Sequence, residues 1–154
     1  MSIERGQKKR GDQALGRSCG GLSTKIHAVV EGLGNLSHWV LTGGNAHDST
    51  QASTLLEAVE RCGDMIDSVT ADKAYDAGSI LEMIEAIGAK AVIPPKSNRR
   101  QPRPFDSHHY KSRNIIERFF CRLKQFRRIA TRYDKLASRF SSFIAIAAAI
   151  VWLA

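Results

Sequence analysis

The sequence predicts an α/β fold, one sheet with helices packed against it. Three observations carry that expectation. Short apolar runs alternate with longer segments of helical periodicity, and glycines and prolines punctuate the junctions. A chain of 154 residues, 43% hydrophobic and 25% charged, is also long enough for one core but too short for two domains.

Taken in order, residues 1–24 mix Gly, Ser and bases with little apolar periodicity, which predicts a basic flexible arm. "TKIHAVVEG" and "LSHWVLTGG" follow as strands, and "LGN" between them supplies the turn of a hairpin. "HDSTQASTLLEAVERCG" predicts a helix capped by Asp48, with Gln51 completing a capping box and Gly63 as its stop. A strand from Ile66 to Ala71 then runs into the polar cluster "DKAYD". "SILEMIEAIG" repeats the helix pattern, with Ser79 and Glu82 in capping-box spacing and Gly88 at the end. "AKAVIPP" is a short strand closed by two prolines that cannot continue a ladder. A basic loop, "KSNRRQPRPFDSHH", leads into a long helix and an apolar terminal segment.

That terminal segment, "FIAIAAAIVWLA", is below the roughly 17–25 residues needed to cross a bilayer, so a buried helix is expected rather than a membrane anchor. The basic N-terminus has no apolar h-region and does not read as a signal peptide. Cys19, Cys62 and Cys121 are odd in number and widely spaced, which fits reduced thiols of a cytoplasmic protein better than a zinc or redox motif.

Charge is unevenly distributed. Residues 1–25 hold six bases and two acids, residues 26–95 three and ten, and residues 96–139 fourteen and three. An acidic middle followed by a basic block predicts a core joined to a phosphate-facing surface, with a merely solvated basic helix as the alternative.

The stretch "YKSRNIIERFFCRLKQFRR", Tyr110 to Arg128, carries seven bases and a single acid, Glu117. On a helical wheel Arg113, Lys124, Glu117, Tyr110 and Arg128 share one face, provided that the helix extends back to Tyr110. Ile115, Phe119, Leu123, Phe126, Ala130 and Tyr133 form the opposite, sheet-packed face. Glu117 also fits a structural role, as the capping-box partner of an N-cap at Asn114. Asp72 sits at a strand's carboxyl end, where α/β sheets gather ligands, although a turn residue would stand there too. Lys73 and Asp76 also fit ordinary surface charges.

Asp72 and Glu117 together suit metal-assisted phosphodiester chemistry. Carboxylate oxygens bind Mg²⁺ or Mn²⁺, and bases on the same face would hold phosphates.

Tyr110, Arg113, Glu117 and Lys124 stand in the spacing Tyr, two residues, Arg, three residues, Glu, six residues, Lys. In that spacing the chain resembles bacterial insertion-sequence transposases with a DDE catalytic domain, especially those of insertion-sequence family five. "ADKAYD" resembles the family's second-aspartate motif, and "LSTKIHAVVEGLGN", "LTGGNAHDSTQA" and "IPPKSNRR" its flanking segments. The resemblance covers most of residues 13 to 153.

The resemblance implies a mixed sheet of the ribonuclease-H-like kind with flanking helices, residues 25–154 forming a partial catalytic domain. Asp72 and Glu117 would be catalytic metal ligands for Mg²⁺ or Mn²⁺. Tyr110, Arg113, Lys124 and Arg128 would position DNA, and Lys96, Arg99, Arg100 and Arg103 would contact phosphate. One departure matters: the family's first catalytic aspartate lies on a strand ahead of this segment, and Asp12 in "KKRGDQALG" has no apolar strand around it. The first central strand is therefore expected to be missing, between the hairpin and the strand bearing Asp72. The expected partners are DNA, an upstream transposase segment and, on DNA, further copies of the chain. The alternative is a catalytically incomplete DNA-binding fragment that regulates or inhibits transposition.

Overall fold

The computed structural model describes residues 11–63, 65–99 and 103–153. The α/β expectation holds at the level of elements. β1 (Gly16–Ser18), β2 (Gly21–Val30) and β3 (Leu36–Gly43) form an antiparallel sheet in the order β1-β2-β3. Helix α1 (Ala52–Arg61) follows, then β4 (Ser68–Thr70), α2 (Gly78–Ala86) and β5 (Lys90–Val92). α3 (Ser107–Tyr110) and α4 (Asn114–Leu123) are joined by a 3₁₀ turn at Lys111–Arg113; the short α5 (Arg127–Ala130) and the long α6 (Ala137–Leu153) complete the chain.

The predicted single sheet is instead two among the described residues. β4 pairs with β5 alone, in parallel, and no strand pairing among the described residues joins them to β1-β2-β3. Of the arm expected at residues 1–24, residues 1–10 lie outside the described set, and residues 11–24 supply β1 and the start of β2, paired from Gly16↔Ser23 to Ser18↔Gly21. The Asp12 carbonyl accepts from the Ala137 amide at 3.0 Å, and its side chain accepts from the Ala14 amide at 2.9 Å, a local turn.

Helix ends follow the glycine signals more closely than the capping boxes. Gly63 and Gly88 have φ of +75° and +76°, the left-handed conformation that a Cβ disfavours. Asp48 caps nothing, because its carboxylate accepts from Lys25 Nζ at 3.0 Å; α1 is preceded by a 3₁₀ turn at Asp48–Gln51. Ser79 lies within α2, whose N-cap, Ala77, offers no side-chain acceptor.

Two apolar clusters hold these pieces. Phe119, Leu123, Ile129, Phe140, Ile144 and Ala147 pack with Ile26, Trp39 and Leu41, so α4 and α6 cover the three-stranded sheet. Trp39 Nε1 donates to Ser141 Oγ at 2.9 Å, pinning α6 to β3. Ala52, Leu56, Ile80, Ile84 and Ile93 form the second cluster with Val69, so α1 and α2 flank β4 and β5. Complete burial of such side chains contributes about 1.5–3 kcal/mol each.

Between β2 and β4 lies a cleft of about 870 Å³, lined by Val29 and Val30, by Leu55 and Val59 of α1, by Val69 and Thr70, and by Ile115 and Ile116 of α4. Each strand keeps one unpaired edge: over Thr24–Val30 β2 pairs only with β3, and β4 pairs only with β5, among the described residues. No helix among the described residues is long and apolar enough to cross a membrane.

Candidate functional site

Because β4 and β5 are parallel, the chain leaves both at the same edge. Asp72 stands there, half-buried, with its backbone extended. One carboxylate oxygen accepts from the Ala74 amide at 2.8 Å and caps the 3₁₀ turn Lys73–Tyr75, as the turn reading required. Burial pushes the neighbouring Tyr75 hydroxyl up to about 12, and the charges of Asp48 and Asp72 add to the shift.

The helical run bearing Glu117 starts eight residues earlier than an N-cap at Asn114 would place it. Asp106 caps it, accepting from the His108 and His109 amides at 3.0 and 2.9 Å. The His109 amide, ahead of the His108 amide, holds the Asp106 carboxyl below its ordinary value against the opposing cost of desolvation. Asn114 is inside the run, where its Oδ1 accepts from Arg118. Tyr110 thereby shares a helical face with Arg113 and Glu117. The Arg113 guanidinium lies 5.7 Å from the Tyr110 ring centroid, and its Nη2 donates to Glu117 Oε1 at 2.5 Å.

Asp72 and Arg113 line the same cleft. Glu117 is outside that lining, 55% exposed, and reaches the cleft's wall through its ion pair with Arg113. The helix ends at Leu123, so Lys124 is its exposed C-cap and Arg128 belongs to α5, off the straight wheel. Arg128 sits 3.9 Å over the Phe143 ring and pairs with Asp134 at 3.3 Å. Of the predicted packed face, Phe119 and Leu123 are buried, whereas Ala130 and Tyr133 are exposed, because the chain bends before them.

In the basic loop, Arg99 and Arg103 both turn to Asp76, whose side chain is buried. Lys96 gives its backbone amide to the same carboxylate at 2.8 Å. Arg100 lies outside the described residues. Asp76, expected as an ordinary surface charge, is buried instead, and its partners, twenty or more residues downstream, leave no local spacing to find it by.

Asp72 and Glu117 are hard oxygen donors, each with one oxygen engaged, and so fit Mg²⁺ or Mn²⁺ as a partial ligand set. Among the described residues no group of three or more His, Cys, Asp or Glu side chains is placed to hold a metal ion.

The sequence matches the family model described as "Transposase DDE domain" over residues 3–152. It is 38% identical over 133 residues to a Brucella ovis protein whose name is that of a transposase for insertion sequence element IS6501, covering 86% of this chain and 99% of that protein. No solved structure matches.

Proposed function

The chain belongs to the transposase DDE domain family, and from that premise we propose that it acts in DNA transposition by metal-dependent phosphodiester hydrolysis and strand transfer, completed by an upstream segment. Asp72 and Glu117 would hold Mg²⁺ or Mn²⁺. Bound there, the cation would activate the attacking water or 3′ hydroxyl and offset charge on the phosphate. The chain's own residues do the rest. Arg113 fixes the Glu117 carboxylate and is itself fixed over Tyr110. Lys96, Lys124 and exposed bases such as Arg118 and Arg122 hold phosphate, with only three acids in residues 96–139 to oppose them.

The observation that carries the reading of an upstream segment is the cleft between β2 and β4. An open strand edge on each side presents backbone donors and acceptors that only an extended chain can pair in series. Apolar walls from α1 and α4 call for a strand apolar on both faces, as in the centre of a ribonuclease-H-like sheet. Such a strand, ending near Asp72, would bring the third carboxylate. The exposed Ile146, Ile150 and Trp152 of α6 support a further contact, between copies assembled on DNA.

A second reading has its own support. With no three-residue metal cluster among the described residues, the chain alone would bind DNA without cutting it and so inhibit the complete enzyme. The test is strand nicking of a duplex carrying the element's end, with Mg²⁺, by the chain alone and by the chain joined to its upstream segment. Nicking by the joined form alone supports the first reading. Duplex binding without nicking by the chain alone, together with suppressed nicking when it is added to the joined form, supports the second, and neither binding nor nicking by either form defeats both.

A further inference from the structure

The turn leaving β4 and the loop leaving β5 emerge side by side, and Asp76 lies where they meet. Its side chain is 1% exposed. Oδ2 accepts the Lys96 amide at 2.8 Å. Oδ1 accepts from Arg99 Nη1 and has Arg103 Nη2 at 3.8 Å. Arg103 Nη2 also donates to the Ile93 carbonyl at 2.9 Å, where β5 gives way to the loop. A carboxylate this far from water persists only when cations and N–H donors surround it, and all of these come from the loop.

The pairing is also consequential for the loop. Two guanidinium groups, 33% and 28% exposed, would repel each other across a partly buried space if the carboxylate were absent. Lys96 is held by its backbone, while its ammonium makes no ion pair among the described residues.

We propose that Asp76 is a positioning residue: it fastens the segment Pro94 to Arg99, and Arg103 beyond it, to the Asp72 end of β4, keeps Arg99 and Arg103 on itself, and leaves Lys96 available to phosphate. The proposal rests on the nucleic-acid reading above for its last clause only. The loop's bases are thus not equivalent. Asp76 decides which of them can reach a DNA backbone, although it touches none.

Two measurements on the full chain test this. Amide exchange of the loop, without DNA, reads the fastening: Asp76→Asn should speed exchange at Lys96 by about tenfold or more. Arg99→Gln, the milder variant should Asp76→Asn fail to fold, should speed it several-fold. The salt dependence of binding to a 20-base-pair duplex reads which bases meet phosphate, at a slope of about 0.9 per contact. Lys96→Gln should flatten the slope by about one contact, whereas Asp76→Asn should steepen it by one or two as Arg99 and Arg103 are released. Asp76→Glu, which keeps the charge, should loosen the loop without steepening the slope. Unchanged exchange in both Asp76→Asn and Arg99→Gln overturns the fastening. Faster exchange with no steeper slope in Asp76→Asn overturns the claim that the arginines were withheld. If even the unaltered chain binds no duplex, the nucleic-acid reading fails, and exchange alone still decides the fastening.

Discussion

Arg113 and Glu117 are joined by a 2.5 Å ion pair across one helical turn, and that pair places the sole acid of a seven-base segment at the wall of the cleft that Asp72 lines. Both side chains are partly exposed, so the pair itself contributes only about 0.3–0.5 kcal/mol to folding. Glu117→Gln should therefore leave the melting temperature nearly unchanged. In the complete protein it should reduce strand cleavage by more than the roughly 10–100-fold typical of losing a ligand's supporting partner. Cleavage assays beside thermal melts separate these effects. A variant that cuts DNA at the normal rate would remove Glu117 from the metal site.

Filling the cleft should stabilise the fold. Each apolar side chain that an added strand buries between α1 and α4 contributes about 1.5–3 kcal/mol, before the entropy of ordering the strand is subtracted. The chain alone is expected to melt early, to aggregate through its open edges and to bind a hydrophobic dye. Joined to the proposed upstream segment it should melt cooperatively at higher temperature, with dye binding diminished. A sharp, high-temperature transition of the isolated monomer would show that the cleft needs no occupant.

Elements were legible in this sequence where the cause is local. Gly63 and Gly88 end helices because the backbone conformation itself selects glycine, and the β2–β3 hairpin follows from two β-rich runs across a short turn. The capping boxes at Asp48 and Ser79 failed because a distant group won the competition or the helix began elsewhere: Lys25 takes the Asp48 carboxylate across 23 residues of chain. Likewise Asp106, not Asn114, starts the helical run, which puts Tyr110 on the face that the wheel required. The bend at Lys124, which separates Arg128 from that face, carries no proline or glycine to announce it. Asp76 was invisible for the same reason as the Asp48 pairing, since its partners are brought to it only by the parallel pairing of β4 with β5.

His27 gives the fold an acid-sensitive point. It is nearly buried in β2, its Nε2 2.7 Å from Thr42 Oγ1. Burial lowers its pKa below the ordinary 6.5; Asp48 opposes the shift and Lys25 adds to it. The unfolded chain thus binds a proton at a pH where the folded chain does not, so stability falls as pH drops below 6.5 and levels off beneath the folded value. Urea midpoints at pH 7.5 and 5.5 should show this loss. His27→Gln should shrink the difference between the two midpoints; an equal difference in both proteins would place the acid sensitivity elsewhere.

Lys124 and Arg128, both expected to meet DNA, should respond oppositely to removal. Arg128 stacks on Phe143 and supplies the ion pair of Asp134, a side chain only 9% exposed whose Oδ2 has no partner among the described residues. Arg128→Ala leaves that carboxylate further uncompensated, which costs about 1–3 kcal/mol, together with a cation–π contact worth about 0.5–1 kcal/mol. Its melting temperature should fall by several degrees. Lys124 is an exposed helix C-cap without an ion pair among the described residues, so Lys124→Ala should leave the melt almost unchanged and flatten the salt dependence of duplex binding by about 0.9. The two variants, measured for both quantities, divide the basic face into bases that hold the protein together and bases that hold its substrate. A destabilised Lys124→Ala, or an Arg128→Ala that flattens the salt slope without lowering the melt, would reverse that division.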